Sequence, residues 1–258
     1  MNILDEIFAQ KRASQAEKHA RVPLRDLQAR QVEPPAGFRR ALENANRPIS
    51  LIAEVKKASP VKGVLREDFD PVQIANAYRL AGVQAMSVLT CAEFFQGSQG
   101  NLIAAKRAAS VPVIRKDFTV SEYDIWEAKA MGADAILLIA YGLDDAELKG
   151  LRELAEGLGF DALVEVHDAQ EMGRALDSGA TFVGVNNRDL RTFETRIETL
   201  EELAPKVPSH VHLVAESAIR NAADVARVQA AGARSVLIGT AFVKAADPGA
   251  AVIEVMGW

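Results

Sequence analysis

The chain has 258 residues, 49% hydrophobic and 25% charged with a formal net charge of -5, which is the profile of a globular protein that buries a large core. The acidic balance argues against a nucleic-acid binder but leaves room for a local basic pocket. The single cysteine, Cys91, excludes an intrachain disulfide and a cysteine-based metal cluster, and fits a reducing, cytoplasmic setting.

The first residues carry Asp5 and Glu6 where a targeting peptide would carry basic ones. No run approaches the ~18 apolar residues of a membrane span, so a soluble protein is expected. Residues 1–48 read as a helical extension. Ile3, Leu4, Ile7 and Phe8 fall at helical spacing, a second segment follows at 24–30, and Pro34 and Pro35 separate these from a third piece at 38–42. This apolar stripe is too short to form a core by itself. It is expected to pack as an arm or lid on a larger body, so that deleting 1–40 raises KM more than it disturbs the fold.

From residue 51 onward, eight apolar β-like runs alternate with helical segments: 51–57, 85–90, 112–116, 135–140, 162–166, 182–185, 211–215 and 235–239. The helices open near good N-cap residues such as Ser98, Ser121, Asp144, Asp168 and Asn221. A near-repeat places Gly82, Gly132, Gly179 and Gly232 where a helix should stop and a strand begin, at intervals matching two βα units of roughly 25 residues each. A doubly wound open sheet would alternate in the same way, but no Gly-x-Gly-x-x-Gly turn follows the first strand. The expectation is one (β/α)8 TIM-barrel domain over 1–258, of which 1–48 is the N-terminal helical arm.

Active sites of such barrels form at the C-terminal ends of the strands. The first run ends in Glu54 and Lys56, which share a face because strand side chains alternate with period two. They read equally as a salt-bridged strand end or as a catalytic pair. The following ends bring Thr90, Lys116 with Asp117, Tyr141, Glu165, then Asn186, Asn187, Arg188 and Asp189, then Glu216 and Ser217, and finally Gly239 and Thr240. A convergent ring of charged and amide groups is costly to bury unless its members pair, and pairing in a barrel mouth makes a site. The last two ends, Ala215-Glu-Ser-Ala218 and Ile238-Gly-Thr240, consist of small residues with hydroxyls and accessible N–H groups. They read either as ordinary small-residue loops or as the phosphate site that barrels frequently build there.

Several blocks resemble the indole-3-glycerol phosphate synthase family: Glu54-Val-Lys-Lys-Ala-Ser-Pro, Ser87-Val-Leu-Thr90 with Phe94-Phe-Gln-Gly-Ser98, Ile114-Arg-Lys-Asp-Phe118, Leu163-Val-Glu-Val166, Gly184-Val-Asn-Asn-Arg-Asp-Leu190 and Ala215-Glu-Ser217. They occur in the family's order over essentially the whole chain. The resemblance implies a carboxy-lyase of tryptophan biosynthesis, which closes and decarboxylates 1-(2-carboxyphenylamino)-1-deoxyribulose 5-phosphate. Three positions depart from the family pattern: Val61 where a serine is frequent, Cys91 where an acidic residue is common, and Ala218 where glycine usually follows Glu-Ser. A Cβ at position 218 could crowd a phosphate held by backbone N–H groups.

The resemblance assigns Lys116 as the acid at the substrate's ketone oxygen. Lys56 is suited to hold the substrate carboxylate and to donate a proton as water leaves, and Glu165 to remove the ring proton or orient a lysine. Which lysine acts at which step stays open. Two ammonium groups in one mouth lower each other's pKa, and Glu54, Glu165 and Glu216 oppose that shift. Glu54 is expected to orient Lys56 and a substrate hydroxyl, and Asn186 to fix a hydroxyl or a neighbouring side chain. Arg188 either approaches the phosphate or pairs with Asp189. Ser59, Ser217, Gly239 and Thr240 form the expected phosphate and substrate set, and Leu89, Phe95, Leu137 and Ile139 either wall an aromatic ring or are plain core.

The four histidines are set aside: His19 lies in the arm, His210 and His212 lie at the far end of the barrel, and His167 reads as facing away from Glu165. No metal and no cofactor are expected. The expected partner is a small phosphorylated substrate, with no nucleic acid and no membrane, handled by a monomer. A phosphosugar isomerase would need a Cys/Asp acid–base pair, for which Cys91 has no facing aspartate, and no second barrel is expected beyond Trp258. A silent binding barrel would have lost Lys56, Lys116 or Glu165, and all are present.

Overall fold

The eight apolar runs become eight parallel strands: Ser50–Val55 (β1), Ala85–Leu89 (β2), Val113–Lys116 (β3), Ala135–Ile139 (β4), Asp161–Val166 (β5), Phe182–Asn186 (β6), His212–Glu216 (β7) and Ser235–Ile238 (β8). In the computed structural model, which describes residues 2–258, each strand pairs with its sequence neighbours and β8 pairs back onto β1. The result is a closed TIM barrel with alternating helices and an N-terminal helical extension, as the sequence pattern predicts.

Period two divides each strand between two cores. In β1, Leu51, Ala53 and Val55 pack toward the surrounding helices, whereas Ile52 joins Ile114, Leu137, Leu163, Val214 and Leu237 inside the barrel. The inward face then turns polar at the C-terminal ends, where Glu54, Lys116, Glu165, Asn186 and Glu216 line one cavity. Register brings two polar ends side by side, with Asn186 opposite Glu216.

The caps follow the expected chemistry with one exception. Ser98, Asp144, Asp168 and Asn221 each accept a backbone N–H of the first turn. Ser121 does not, because its hydroxyl donates to Gln15 and Asp124 instead, and Asp124 takes the Val120 N–H. A short hairpin, Ala58–Ser59 with Gly63–Val64, follows β1 and is not legible as strands in the sequence.

The arm reaches both ends of the barrel. Its first helix, Ile3–Ala13, lies at the C-terminal ends of β3 and β4: Lys11 pairs with Asp117 at 2.6 Å, and Asn2 and Asp5 bond the Tyr141 hydroxyl at 2.8 and 2.7 Å. The helix Phe38–Glu43 lies at the opposite end. The Ala36 N–H donates to Asp134 before β4, the Arg39 N–H to Asp161 at the start of β5, and the Arg39 guanidinium to Thr181 before β6. Phe38, fully buried beside Phe182, plugs that end, and burying such a side chain stabilises by about 1.5–3 kcal/mol. The expectation that deleting residues 1–40 raises KM more than it disturbs the fold meets a structural obstacle: a deletion through 40 takes Phe38 out of the interior core.

Candidate active site

The cavity at the C-terminal end of the barrel encloses about 410 Å³. At its centre stands Lys116, the last residue of β3, with its ammonium 2.7 Å from Glu165 Oε2 and 3.6 Å from Glu216 Oε2. Lys56, just past β1, pairs with Glu54 on the same face, as the period-two spacing predicts. Asn186 donates from its amide to Glu165 Oε1 at 3.0 Å and accepts the Arg188 N–H on its own oxygen at 3.1 Å. The amide thus ties the β6 end to the β5 carboxylate.

Burial and pairing set the charges. Burial works against the Lys116 ammonium, but Glu165, Glu216 and Glu54 outweigh it, and the pKa ends above its ordinary value. The mutual depression expected for two neighbouring lysines does not figure at Lys116, where burial alone opposes the three carboxylates. Glu165 is opposed by burial yet held ionised by Lys116 and His167, well below the usual carboxylate range. Glu216 goes the other way: burial first, and then the Glu165 charge, push it up to about 8. Its Oε1 is buried without a hydrogen-bond partner, which a protonated carboxyl tolerates better than an ionised one. Two carboxylates on β5 and β7, the strands either side of β6, are thereby separated into one charged and one neutral group at neutral pH.

The cavity has two unlike ends. Leu89, Phe95, Phe118, Leu137, Ile139 and Leu237 make an apolar wall, against which a flat aromatic ring fits. At the other end Lys62, Arg188, Arg220 and Lys244 converge on Ser217, Gly239 and Thr240. Partial burial, followed by the repulsion of Arg188, Lys244 and Arg220, pushes the Lys62 ammonium below its ordinary value. The carboxylates of the cavity are engaged elsewhere, Glu54 with Lys56, Asp117 with Lys11, and Glu165 and Glu216 with Lys116. A cluster of cations without a counter-charge is an anion site. Gly239 is required there, since an added Cβ would run into the Glu54 side chain, with the Glu54 Cβ at 2.8 Å.

Most of the residues singled out in the sequence line this cavity, and a few do not. Ser59 is buried outside it, its hydroxyl accepting the Lys62 N–H at 3.2 Å, so it braces the hairpin that carries Lys62. Tyr141 is taken up by the arm. Thr90 donates to Asp117, which is buried and shared with Lys11 and Arg115. Arg188 makes no pair with Asp189: its guanidinium donates to Thr195, while Asp189 binds Arg191. Asn187 is a buried bracket, donating to the Glu216 carbonyl and accepting the Leu200 N–H. Cys91 is buried away from the cavity wall, its thiol pushed up to about 11 by burial and then by Asp117, which removes it as an acid for an isomerase.

The reading of His167 is corrected. Residues 165 and 167 are two apart, so they share a face, and His167 Nε2 stands 3.3 Å from Glu165 Oε1. Sequence reasoning also passed over Lys62, Arg220 and Lys244. The available signal was a cation a few residues beyond each of the strand ends β1, β7 and β8. At position 218 the departure has a backbone consequence, because Ser217 and Ala218 both take the left-handed conformation, with φ of 61 and 64. That region costs a residue with a Cβ about 1–2 kcal/mol.

Comparison with known proteins adds a family to this geometry. A family model described as indole-3-glycerol phosphate synthase matches residues 4–255. Two curated relatives of that name, from two strains of Acidithiobacillus ferrooxidans, are each 47% identical over 255 residues, covering 97% of this chain and 97% of their own. Among solved structures, a 3-hexulose-6-phosphate synthase is similar with TM-score 0.64 at 18% identity, over 81% of this chain and 99% of that one. A thiamine phosphate pyrophosphorylase from Pyrococcus furiosus reaches TM-score 0.59 at 16% identity, over 81% and 95%. At such identities the likeness is one of fold.

Proposed function

The chain belongs to the indole-3-glycerol phosphate synthase family and closes, decarboxylates and dehydrates 1-(2-carboxyphenylamino)-1-deoxyribulose 5-phosphate; on that premise we propose the following division of labour among its residues. The substrate's aromatic ring lies against Leu89, Phe95, Leu137 and Ile139, and its phosphate at Ser217, Gly239 and Thr240 among Lys62, Arg188, Arg220 and Lys244. This orientation follows from the chemistry of the two ends, apolar and cationic. The ketone then falls between them, beside Lys116.

Ring closure needs a proton on the ketone oxygen as the ring carbon attacks. Lys116, fully charged in the resting site, is the donor. Carbon dioxide leaves next, and the electrons of its bond return to the ring. The former ketone oxygen finally departs as water, protonated by Lys56, while Glu165 accepts the proton lost from the adjacent carbon. Glu54 orients Lys56. Glu216, neutral near pH 7, presents a donor and not a second negative charge beside Glu165, and Asn186 locks the Glu165 carboxylate. Ser59 acts through the hairpin and not on the substrate. We further propose that one chain acts alone, in the cytoplasm. The reducing setting is supported by a single cysteine, buried and unpaired.

The observation that carries the reading is the Lys116 ammonium, held 2.7 Å from an ionised carboxylate between an apolar wall and an uncompensated cationic cluster. The test is a fluorescence assay for the indole product with the parent protein and with Lys116→Ala. Turnover that drops by about 10²-fold or more in the variant is the expected result, the contribution of a positioned acid. Undiminished turnover in Lys116→Ala would remove Lys116 from the chemistry.

A further inference from the structure

Glu165 is gripped at both oxygens. Oε2 lies 2.7 Å from Lys116, while Oε1 accepts from Asn186 at 3.0 Å and stands 3.3 Å from His167 Nε2, at ion-pair distance. The imidazole is anchored from behind. Glu171 Oε2 lies 3.0 Å from Nδ1 and also accepts the backbone N–H of His167 at 2.9 Å. Glu171 is itself seated at the start of the helix Ala169–Asp177, where its N–H donates to the capping Asp168. Glu165, His167 and Glu171 are all buried. Nδ1 is hydrogen-bonded to Glu171, while Nε2, with no hydrogen-bond partner of its own, faces Glu165 Oε1 at ion-pair distance; a buried imidazole with a carboxylate at each nitrogen favours the cation.

We propose that His167 is a positioning residue for the reaction: an imidazolium, braced by Glu171, that fixes Oε1 of Glu165 and keeps that carboxylate charged. The inference rests on Glu165 being a working carboxylate of the site. Its logic lies in the order of events. When Lys116 gives its proton to the substrate, Glu165 loses the cation at Oε2 while Glu216 and Glu54 remain nearby. His167 is then the positive charge left against it, and it prevents Glu165 from drawing back the proton just donated. The groups around the imidazole are suited to this. Besides Glu165 and Glu171, Asp168 lies at the helix start and Asp189 on the loop after β6, with Arg191 bound to both aspartates at 3.5 and 2.9 Å. Burial works against the imidazolium, but Glu165 and Glu171 outweigh it and push its pKa up to about 10, so it stays charged across the neutral range.

The test measures kcat and KM from about pH 3 to 9 for the parent, His167→Gln, Glu171→Gln and Glu165→Gln. Glutamine at 167 keeps a donor but no charge. The expected result is a roughly tenfold fall in kcat for His167→Gln, with KM within about twofold. Its acid limb should move toward neutral pH by about one pH unit or more, since a carboxylate stripped of a neighbouring cation protonates more readily. Glu171→Gln should move the limb the same way by less, and it carries the test if His167→Gln fails to fold. A fall in kcat with the acid limb unmoved in both variants would mean a purely structural histidine and overturn the proposal. So would wild-type profiles in both. Glu165→Gln separates the two levels: if it alone is inactive, the carboxylate works without the imidazole, whereas full activity there removes the role of Glu165 itself.

Discussion

Replacing Glu216 by glutamine should change how the stability of the barrel depends on pH, by an amount that follows from the burial of this one side chain. Glu216 is 2% exposed, with Oε1 unpartnered and Oε2 3.6 Å from Lys116. Burial and the Glu165 charge push its carboxyl from an ordinary 4.5 up to about 8. Between those two values the folded chain holds a proton at this position that the unfolded chain has released. Stability therefore falls by about 1.4 kcal/mol for each pH unit of rise within the window. The contribution is whole below pH 4.5 and has been lost once the pH passes 8.

Glutamine has the same shape and no proton to lose. The stability difference between parent and Glu216→Gln should thus fall by roughly 3 kcal/mol from about pH 5.5 to 7.5, and level off above 8. The raised His167 titrates in both proteins and cancels to first order in the difference. Urea unfolding followed by circular dichroism reads this directly. With an m value of about 3 kcal/mol/M, the gap in midpoints changes by about 0.5 M per pH unit. Parallel midpoint curves would refute the neutral Glu216, and a difference that grew with pH would mean that the ionised form is the one the fold prefers.

Two further substitutions probe other parts of the argument. Ala218→Gly relieves a left-handed backbone at φ 64 and should raise stability by about 0.5–1 kcal/mol after the larger entropy loss of glycine, with KM lowered or unchanged. A loss of stability there, by thermal or urea melts, would show that the alanine Cβ packs to greater effect than its backbone strain. Phe38→Ala, at the end of the barrel opposite the cavity, should cost about 3–5 kcal/mol of stability while leaving the KM of the folded fraction unchanged. A marked rise in KM without destabilisation would restore the view that the whole arm serves the active site.

Much of the site was legible in the sequence because strand periodicity is local. A charged residue at the end of an apolar run, such as Glu54, Lys116, Glu165 or Glu216, announces both an inward face and the end of the barrel where it lies. The same rule, misapplied by one position, hid His167. Ser59 looked like a substrate ligand from its place after β1, yet a two-residue hairpin turns it under Lys62, and nothing in the residue types of that loop marks the turn. Arg188 and Asp189 are neighbours in the chain and do not pair, because Thr195 and Arg191 offer better geometry.

By itself the sequence determined the alternation of strands and helices, the closure into a barrel with an arm, and the polar ring at the strand ends. These depend on patterns of two to four residues and on a repeat, all carried within the chain's own order. Only the tertiary structure decided that Glu165 is charged and Glu216 neutral, that Phe38 plugs one end while Lys11 binds the other, and that four cations from distant segments meet without a counter-charge. Each of these depends on distances and desolvation between residues far apart in sequence, and a charge or a contact of that kind does not exist until the fold brings its partners together.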